Sequence, residues 1–243
     1  MLNRGGVNAI EGARSYWSRF FGISPDELNR DDILVVPHSA LGDYAGAWVW
    51  WQDSGKIISA PEDMVLDLKH RVTMIKADEL SSKAFVHAFF GDRVVMTIGP
   101  AYHGWIERRT NRSEADFHIV EIPPNQIKGL TNIRACDPDG WRNAGLDGKT
   151  DVSFGAMVGG QIMALACYQV DSLGVAFIRV FTNPDHRRRG LAGAVLSTCV
   201  DHALASGLPC VYQTLLSNIS SVELAKAVGF SEYGLHIAVR LRQ

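Results

Sequence analysis

The sequence is poor in several features that would narrow its role at once. It has four cysteines in 243 residues, Cys136, Cys167, Cys199 and Cys210. No two of them stand in a C-x-x-C pair or at a metal-ligand spacing, so neither a metal nor a disulfide framework is expected. Cys167, Cys199 and Cys210 sit in apolar runs and read as reduced core thiols. No uninterrupted apolar run approaches the roughly 18 residues of a membrane span. Met1 to Arg14 contains Arg4, Glu11 and Arg14, which does not read as a secretory leader. An excess of charge of one sign is missing too. The net charge is −2, which argues against a surface built for nucleic acid. The expectation is a soluble, cytoplasmic protein without a membrane segment.

What is present suits a globular enzyme or binding protein. Hydrophobic residues make up 47% and charged residues 21%, enough for a sizeable core. The length allows one large domain or two small ones. In the first half, Val7 to Phe21 has the apolar spacing of an amphipathic helix. Ser24-Pro25-Asp26-Glu27 carries a helix-start pattern. Ile33 to Val36 is a strand, and Ala47 to Trp51 with Ile57 to Ser59 reads as a hairpin around Asp53-Ser54-Gly55. Helices are expected from Pro61 to about Val72 and from Ala77 to Phe90, then a strand from Arg93 to Ile98. Gly99 to Trp105 reads as a loop carrying Tyr102, His103 and Trp105, which a substrate pocket could use. Trp48, Trp50 and Trp51 have no interleaved basic residues and read as packing, not as a base-stacking platform.

The charged stretch Arg108 to Glu114 marks a domain boundary, giving 1–112 and 113–243. Phe117 to Ile122 is a strand, and Gln126 to Arg134 a helix weakened by Gly129. Asp137-Pro138-Asp139-Gly140 is a turn signal inside a loop from Cys136 to Thr150. Val152 to Val158, Gln161 to Val170 and Gly174 to Thr182 form a three-strand meander. The helix Leu191 to Ser206 follows, then a strand from Val211 to Leu216. Ser220 to Glu223 reads as a capping box with Ser220 as cap. The helix it opens stops at Gly229, and Leu235 to Leu241 closes the chain as a strand. The fold class is mixed α+β.

The most informative stretch joins the third meander strand to the next helix: Val180-Phe181-Thr182-Asn183-Pro184-Asp185-His186-Arg187-Arg188-Arg189-Gly190-Leu191-Ala192. A strand, a basic glycine-containing turn and a helix start suit a phosphate. The first turn of a helix has free N–H groups and the positive end of its dipole. Arginine adds paired contacts to phosphate oxygens. A solvated basic loop is the plain alternative, and a short nucleic-acid contact through His186 to Arg189 ranks last.

Arg187-x-x-Gly190-x-Ala192 resembles the Arg/Gln-x-x-Gly-x-Gly/Ala motif of the GNAT superfamily of acyl-coenzyme A-dependent N-acetyltransferases. Asn218-x-x-Ser221-x-x-Leu224-Ala225-x-x-x-Gly229-Phe230 is similar to that family's second signature, Asn-x-x-Ala/Ser-x-x-Leu-Tyr-x-x-x-Gly-Phe. The resemblance covers roughly 113–243. The whole chain is similar to a bacterial subgroup with an extra N-terminal α+β module, whose origin as a decayed repeat stays open. It implies a central mixed sheet flanked by helices and acetyl-CoA as cosubstrate.

The implied cofactor-binding residues are Val180, Phe181, Thr182, Arg187, Arg188, Arg189, Gly190, Leu191, Ala192, Asn218 and Ser221. The turn would cradle the pyrophosphate. Val180 to Thr182 would pair with the pantetheine arm, and a backbone N–H near Val180 or Thr182 would polarise the thioester carbonyl. Two departures stand out. Ala225 replaces the family's usual tyrosine acid, and the strand Ala176 to Thr182 has no carboxylate, only Arg179. Replacement candidates for proton transfer are Tyr233, His236, Tyr212, Tyr102 and His103. The implied reaction is direct acyl transfer to a small-molecule or peptide amine, with the N-terminal half and the loop Cys136 to Thr150 shaping the acceptor pocket. The alternative is a catalytically degenerate domain that binds acyl-CoA as a sensor or scaffold. A homodimer is compatible with the sequence.

Overall fold

The computed structural model describes the backbone of residues 4–52, 55–108 and 117–242. In chain order the elements are α1 (Arg4–Phe21), β1 (Ile33–Pro37), β2 (Gly46–Trp51), β3 (Lys56–Ala60), α2 (Glu62–Val72), α3 (Lys83–Phe90), β4 (Val94–Ile106), β5 (Ile119–Glu121), α4 (Thr131–Ala135), α5 (Pro138–Asn143), β6 (Val152–Val158), β7 (Gln161–Val170), β8 (Ala176–Thr182), α6 (Leu191–Ala205), β9 (Cys210–Leu215), α7 (Ile219–Val228) and β10 (Ser231–Leu241). The architecture is mixed α+β, with parallel and antiparallel strand pairs flanked by helices. The chain forms two compact units. One comprises Met1–His103, Thr214–Val222 and Glu232–Gln243; the other comprises Gly104–Gln213 and Glu223–Ser231. Most of the expected boundary at Arg108 to Glu114 lies outside the described residues, as do Asp53 and Ser54 of the expected hairpin turn.

In the first unit β1, β3, β2, β10 and β4 follow one another across the sheet. β1 pairs β3 in parallel, and β2 pairs antiparallel with both β3 and β10. Side chains alternate across a strand, so β2 serves two cores. Ala47 and Val49 join Ile58, Ile237 and Val239 beneath the apolar faces of α2 and α3. Trp48 and Trp50 point the other way, to the aromatic stripe of α1. Trp17 and Phe20 lie there with centroids 4.1 Å from Trp50 and 5.4 Å from Trp48.

The second unit holds the meander β5–β6–β7–β8, antiparallel throughout, and β9 added in parallel to β8. A parallel neighbour needs a crossover, and α6 is that crossover. Its Leu191, Val195, Cys199 and Val200 are buried. A separate apolar cluster joins Phe181, Leu165 and Cys167 of the strands to Ile133, Trp141 and Leu146 of the α4–α5 region.

Several local expectations are corrected. The expected loop Gly99 to Trp105 is part of β4, and Tyr102, His103 and Trp105 are buried. Gly99-Pro100 opens that expected loop, yet here the glycine lets two strands approach. A Cβ at Gly99 would lie 2.7 Å from the His236 carbonyl oxygen.

Ser24 does bond Glu27, through its N–H and its hydroxyl, each at 2.8 Å. Only the 3-10 turn Glu27–Asn29 follows, because no apolar residue comes at helical spacing between Leu28 and Ile33. The helix expected over Ala77 to Phe90 is interrupted at Ser82, whose hydroxyl caps α3 by accepting from the Phe85 N–H. Gln126 to Arg134 likewise divides at Gly129 into a 3-10 turn and α4. The loop Cys136 to Thr150 contains α5, with Asp137 as cap and Pro138 as first residue. α7 begins at Ile219, so Ser220 lies inside its first turn. Asn218 precedes it, and its carbonyl accepts from the N–H groups of Ser221 and Val222 at 3.0 and 3.1 Å.

Candidate functional site

β8 and the turn that follows it form one continuous feature of the second unit. β7 accompanies β8 along its whole length, from the Val170–Ala176 pair to the Ala164–Thr182 pair. β9 accompanies it only at Ala176, Phe177 and Ile178. From Arg179 to Thr182 the β9 side of β8 has no strand partner among the described residues. Such an edge is a row of N–H and C=O groups with which another extended chain can pair.

The turn is held by its own side chains and by β7. The Asn183 N–H donates to the Met163 carbonyl at 2.9 Å, and the Asn183 side-chain oxygen accepts from the Asp185 N–H at 3.0 Å. Pro184–His186 makes a single 3-10 turn. Arg188 then adopts φ +60° and Gly190 φ +84°, the latter at the N-cap of α6. Alternating hand in neighbouring residues makes successive amides converge into a concavity that favours anions. The intrahelical ladder starts with Ala194, whose N–H donates to the Gly190 carbonyl at 3.0 Å. The N–H groups of Arg188, Gly190 and Ala192 donate to no protein acceptor among the described residues. Leu191 is buried and anchors the helix start, whereas Arg188 and Arg189 are exposed. Arg187 is different, because its guanidinium bonds the Asp137 carboxylate at 3.0 Å.

Asp137 was legible as a turn residue but not as a partner of this motif. The Asp-Pro pair also fits a helix cap and first helical residue, which is the signal that finds α5. Arg179 is a second residue with more to do than its motif suggests. Its guanidinium donates to the Lys149 carbonyl at 2.8 Å and to Gln169 Oε1 at 3.1 Å. Its stem lies against Gly145 and its guanidinium against Gly148. β8 thus pins the end of the segment that carries α5, while Phe181 packs edge-on to Trp141, centroids 5.6 Å apart.

Val180, Phe181, Thr182 and Arg187 to Ala192 are therefore contiguous in the second unit. Tyr212 lies there as well, buried on β9 with its ring 5.6 Å from Phe230. Ala225 of α7 is fully buried and brings no hydroxyl. Asn218, Ser221, Tyr102, His103, Tyr233 and His236 belong to the first unit. His103 and His236 meet there, with a ring-nitrogen hydrogen bond of 2.6 Å. Trp48 stacks on His236 at 4.1 Å, and Trp17 and Trp50 each lie edge-on to His103 at 4.9 Å. Burial pushes the His236 pKa down to about 3. Burial, and secondarily His236, hold His103 well below the ordinary histidine value. Both rings stay neutral near pH 7, and a group so reluctant to charge is a poor proton acceptor. Burial raises the half-buried Tyr233 phenol to about 12, so it stays a neutral hydroxyl.

A model of the acetyltransferase (GNAT) family matches residues 127–230. This segment belongs to the GNAT superfamily. The matched span runs from the α4 region through β8, the basic turn and α6 to the Gly229-Phe230 pair. The whole chain is similar in fold to an acetyltransferase from the GNAT family of Colwellia psychrerythraea, with TM-score 0.51, 12% identity, and coverage of 99% of this chain and 98% of that one. It is also similar to a GCN5-related N-acetyltransferase-like protein of Streptococcus suis, with TM-score 0.51, 15% identity, and coverage of 96% and 100%. A GNAT-family protein of Novosphingobium aromaticivorans gives TM-score 0.49 at 20% identity over 60% of this chain, which spans 65% of that protein's length. No curated protein matches the chain. At these identities the two full-length likenesses speak to the fold, which in both extends beyond the GNAT segment to the N-terminal half.

Proposed function

We propose that the protein is an acetyl-CoA-dependent N-acetyltransferase. The observation that carries this reading is the open edge of β8 running directly into the left-handed turn at the start of α6. An extended arm ending in a pyrophosphate needs a strand edge and an anion cradle in that order. Arg179 to Thr182 offer the edge. The amides of Arg188, Gly190 and Ala192, without a protein acceptor among the described residues, lie at the helix start, and Arg188 and Arg189 add exposed cations. Gly190 gives the cradle its shape, since φ +84° disfavours any residue with a Cβ.

In this reading the acyl donor supplies an activated thioester. Val180 to Thr182 align it, and an N–H on that edge, at Val180 or Thr182, polarises its carbonyl and stabilises the charge that develops on oxygen. Positioning carries much of the acceleration. Asn218 and Ser221 are assigned to the donor arm by their motif positions. The N-terminal unit and the segment 136–150 are assigned to the amine acceptor, a small molecule or peptide. Direct attack is favoured over a covalent enzyme intermediate. Burial raises the thiols of Cys167, Cys199 and Cys210 above the usual cysteine range, so none is an activated nucleophile. Cys136 is exposed, with its thiol donating to the Ile133 carbonyl at 2.8 Å.

The second reading, an acyl-CoA sensor or scaffold, is favoured by one observation. Ala225 occupies the place of the usual tyrosine acid, and β8 carries no carboxylate. Incubation with acetyl-CoA and a panel of amines, with free thiol followed, separates the two. Amine-dependent thiol release is expected. Calorimetric binding without turnover on any amine would select the sensor, and absence of binding would end both readings.

A further inference from the structure

Asp137 holds two partners at once. Its Oδ1 accepts from the Gly140 N–H at 2.8 Å and caps α5. Its Oδ2 accepts from Arg187 Nη2 at 3.0 Å. The cap is close, for a Cβ built on Gly140 would lie 2.3 Å from that carboxylate. One side chain therefore ties the first turn of α5 to the first residue of the basic turn, 50 positions further along the chain. The Arg187 side chain is 54% exposed and that of Asp137 29%, so a solute can reach the guanidinium, and a pair this wet is weak. A pyrophosphate offers more charge and more acceptor oxygens than one carboxylate, in a geometry that arginine matches.

We propose that Asp137 is a latch. It holds Arg187 while the turn is empty. A pyrophosphate arriving at the amides of Arg188 to Ala192 takes the guanidinium, and α5 loses its tie to β8's end of the unit. The far end of the same segment stays fixed, because Arg179 keeps its hold on the Lys149 carbonyl. The segment assigned to the acceptor is thus released at 137–144 and retained at Lys149 when the donor binds. Asp137 is a positioning residue that acts through Arg187, and the inference rests on the coenzyme reading of the turn.

Hydrogen–deuterium exchange on the full chain, with coenzyme A as probe, tests it in the wild type, Asp137→Asn and Asp137→Glu. Asparagine keeps an oxygen for the Gly140 N–H and loses the ion pair. In the wild type, coenzyme A is expected to slow exchange over 183–193 and to speed it over 137–144. Asp137→Asn is expected to exchange fast over 137–144 without coenzyme A. It should also bind coenzyme A about three- to tenfold more tightly, since Arg187 is already free. A purely structural cap would not tighten binding. Asp137→Glu should restore wild-type behaviour in both respects. Slowed exchange over 183–193 with 137–144 unchanged or slowed overturns the latch and leaves the coenzyme reading standing. So does an Asp137→Asn variant that binds no more tightly than wild type. No change over 183–193 removes the coenzyme reading and the latch with it.

Discussion

At Gly190 one backbone angle joins stability to recognition. The residue sits at φ +84° with Phe117 ring atoms 3.4 and 3.5 Å from where a Cβ would be. Gly190→Glu places a side chain on a backbone that resists it, at a cost of about 1 kcal/mol, and sets a carboxylate among amides that favour anions. Coenzyme A affinity should fall by about 100-fold, or about 2.7 kcal/mol, with the far-UV spectrum unchanged. Undiminished affinity by calorimetry would show that phosphate binds elsewhere.

The histidine pair sets a pH limit of another kind. His236 has a folded pKa of about 3, below the roughly 6.5 of an unfolded chain. Its contribution is fully present above the unfolded value and is lost as pH falls from about 6.5 toward 3, because the unfolded state takes the proton first. Each pH unit in that window costs about 1.4 kcal/mol per such histidine. Denaturant midpoints should drop across it, and His236→Gln should flatten the curve. Equal slopes in both proteins would mean that His236 is not the titrating group. The pair itself was not legible from sequence. His103 and His236 stand 133 residues apart, and His103 lies in a Gly-Pro stretch that reads as a loop.

At the level of elements, local patterns located most strands and helices, because alternation and caps are written within a few residues. The ends of the two longest strands were not. β4 runs through Gly99-Pro100, and β10 begins at Ser231, four residues before its apolar run. Pairing with a strand distant in sequence decides both. The half-length pairing of β8 with β9 is likewise tertiary, since nothing in Arg179 to Thr182 says that β9 leaves it. Arg179 shows what such placement does. Its two donors hold a carbonyl on one side and Gln169 on the other, so it carries a loop as well as a strand. Arg179→Ala should speed amide exchange and proteolytic nicking over 144–150 and cost about 1 kcal/mol. Lysine should not rescue it, because one ammonium cannot reproduce the two-sided fork. Protection over 144–150 that is unchanged in Arg179→Ala would refute the anchor.

For the molecule as a whole, a ligand that binds the folded state alone adds stability by mass action. At a coenzyme A concentration 100 times its dissociation constant the gain is about 2.7 kcal/mol. For a chain of 150–250 residues that corresponds to a rise in melting temperature of about 5–10 °C. An anion contact at Arg188 and Arg189 in a chain of net charge −2 is a local field, so the shift should shrink with added salt. A melting curve indifferent to coenzyme A would contradict the reading. No helix among the described residues is long and apolar enough to cross a membrane.

The aromatic stripe of α1 has a spectroscopic consequence. Trp17 and Trp50 lie with centroids 4.1 Å apart and planes inclined by 32°. Two indoles this close share their excited states, so their intense short-wavelength transitions split and give a paired signal in far-ultraviolet circular dichroism. Trp141, which packs on Phe181, has no such indole neighbour among the described aromatic contacts. The first unit therefore carries its own optical signature. Its unfolding can be followed by loss of the paired signal while the second unit is followed by other probes, in a single unlabelled sample.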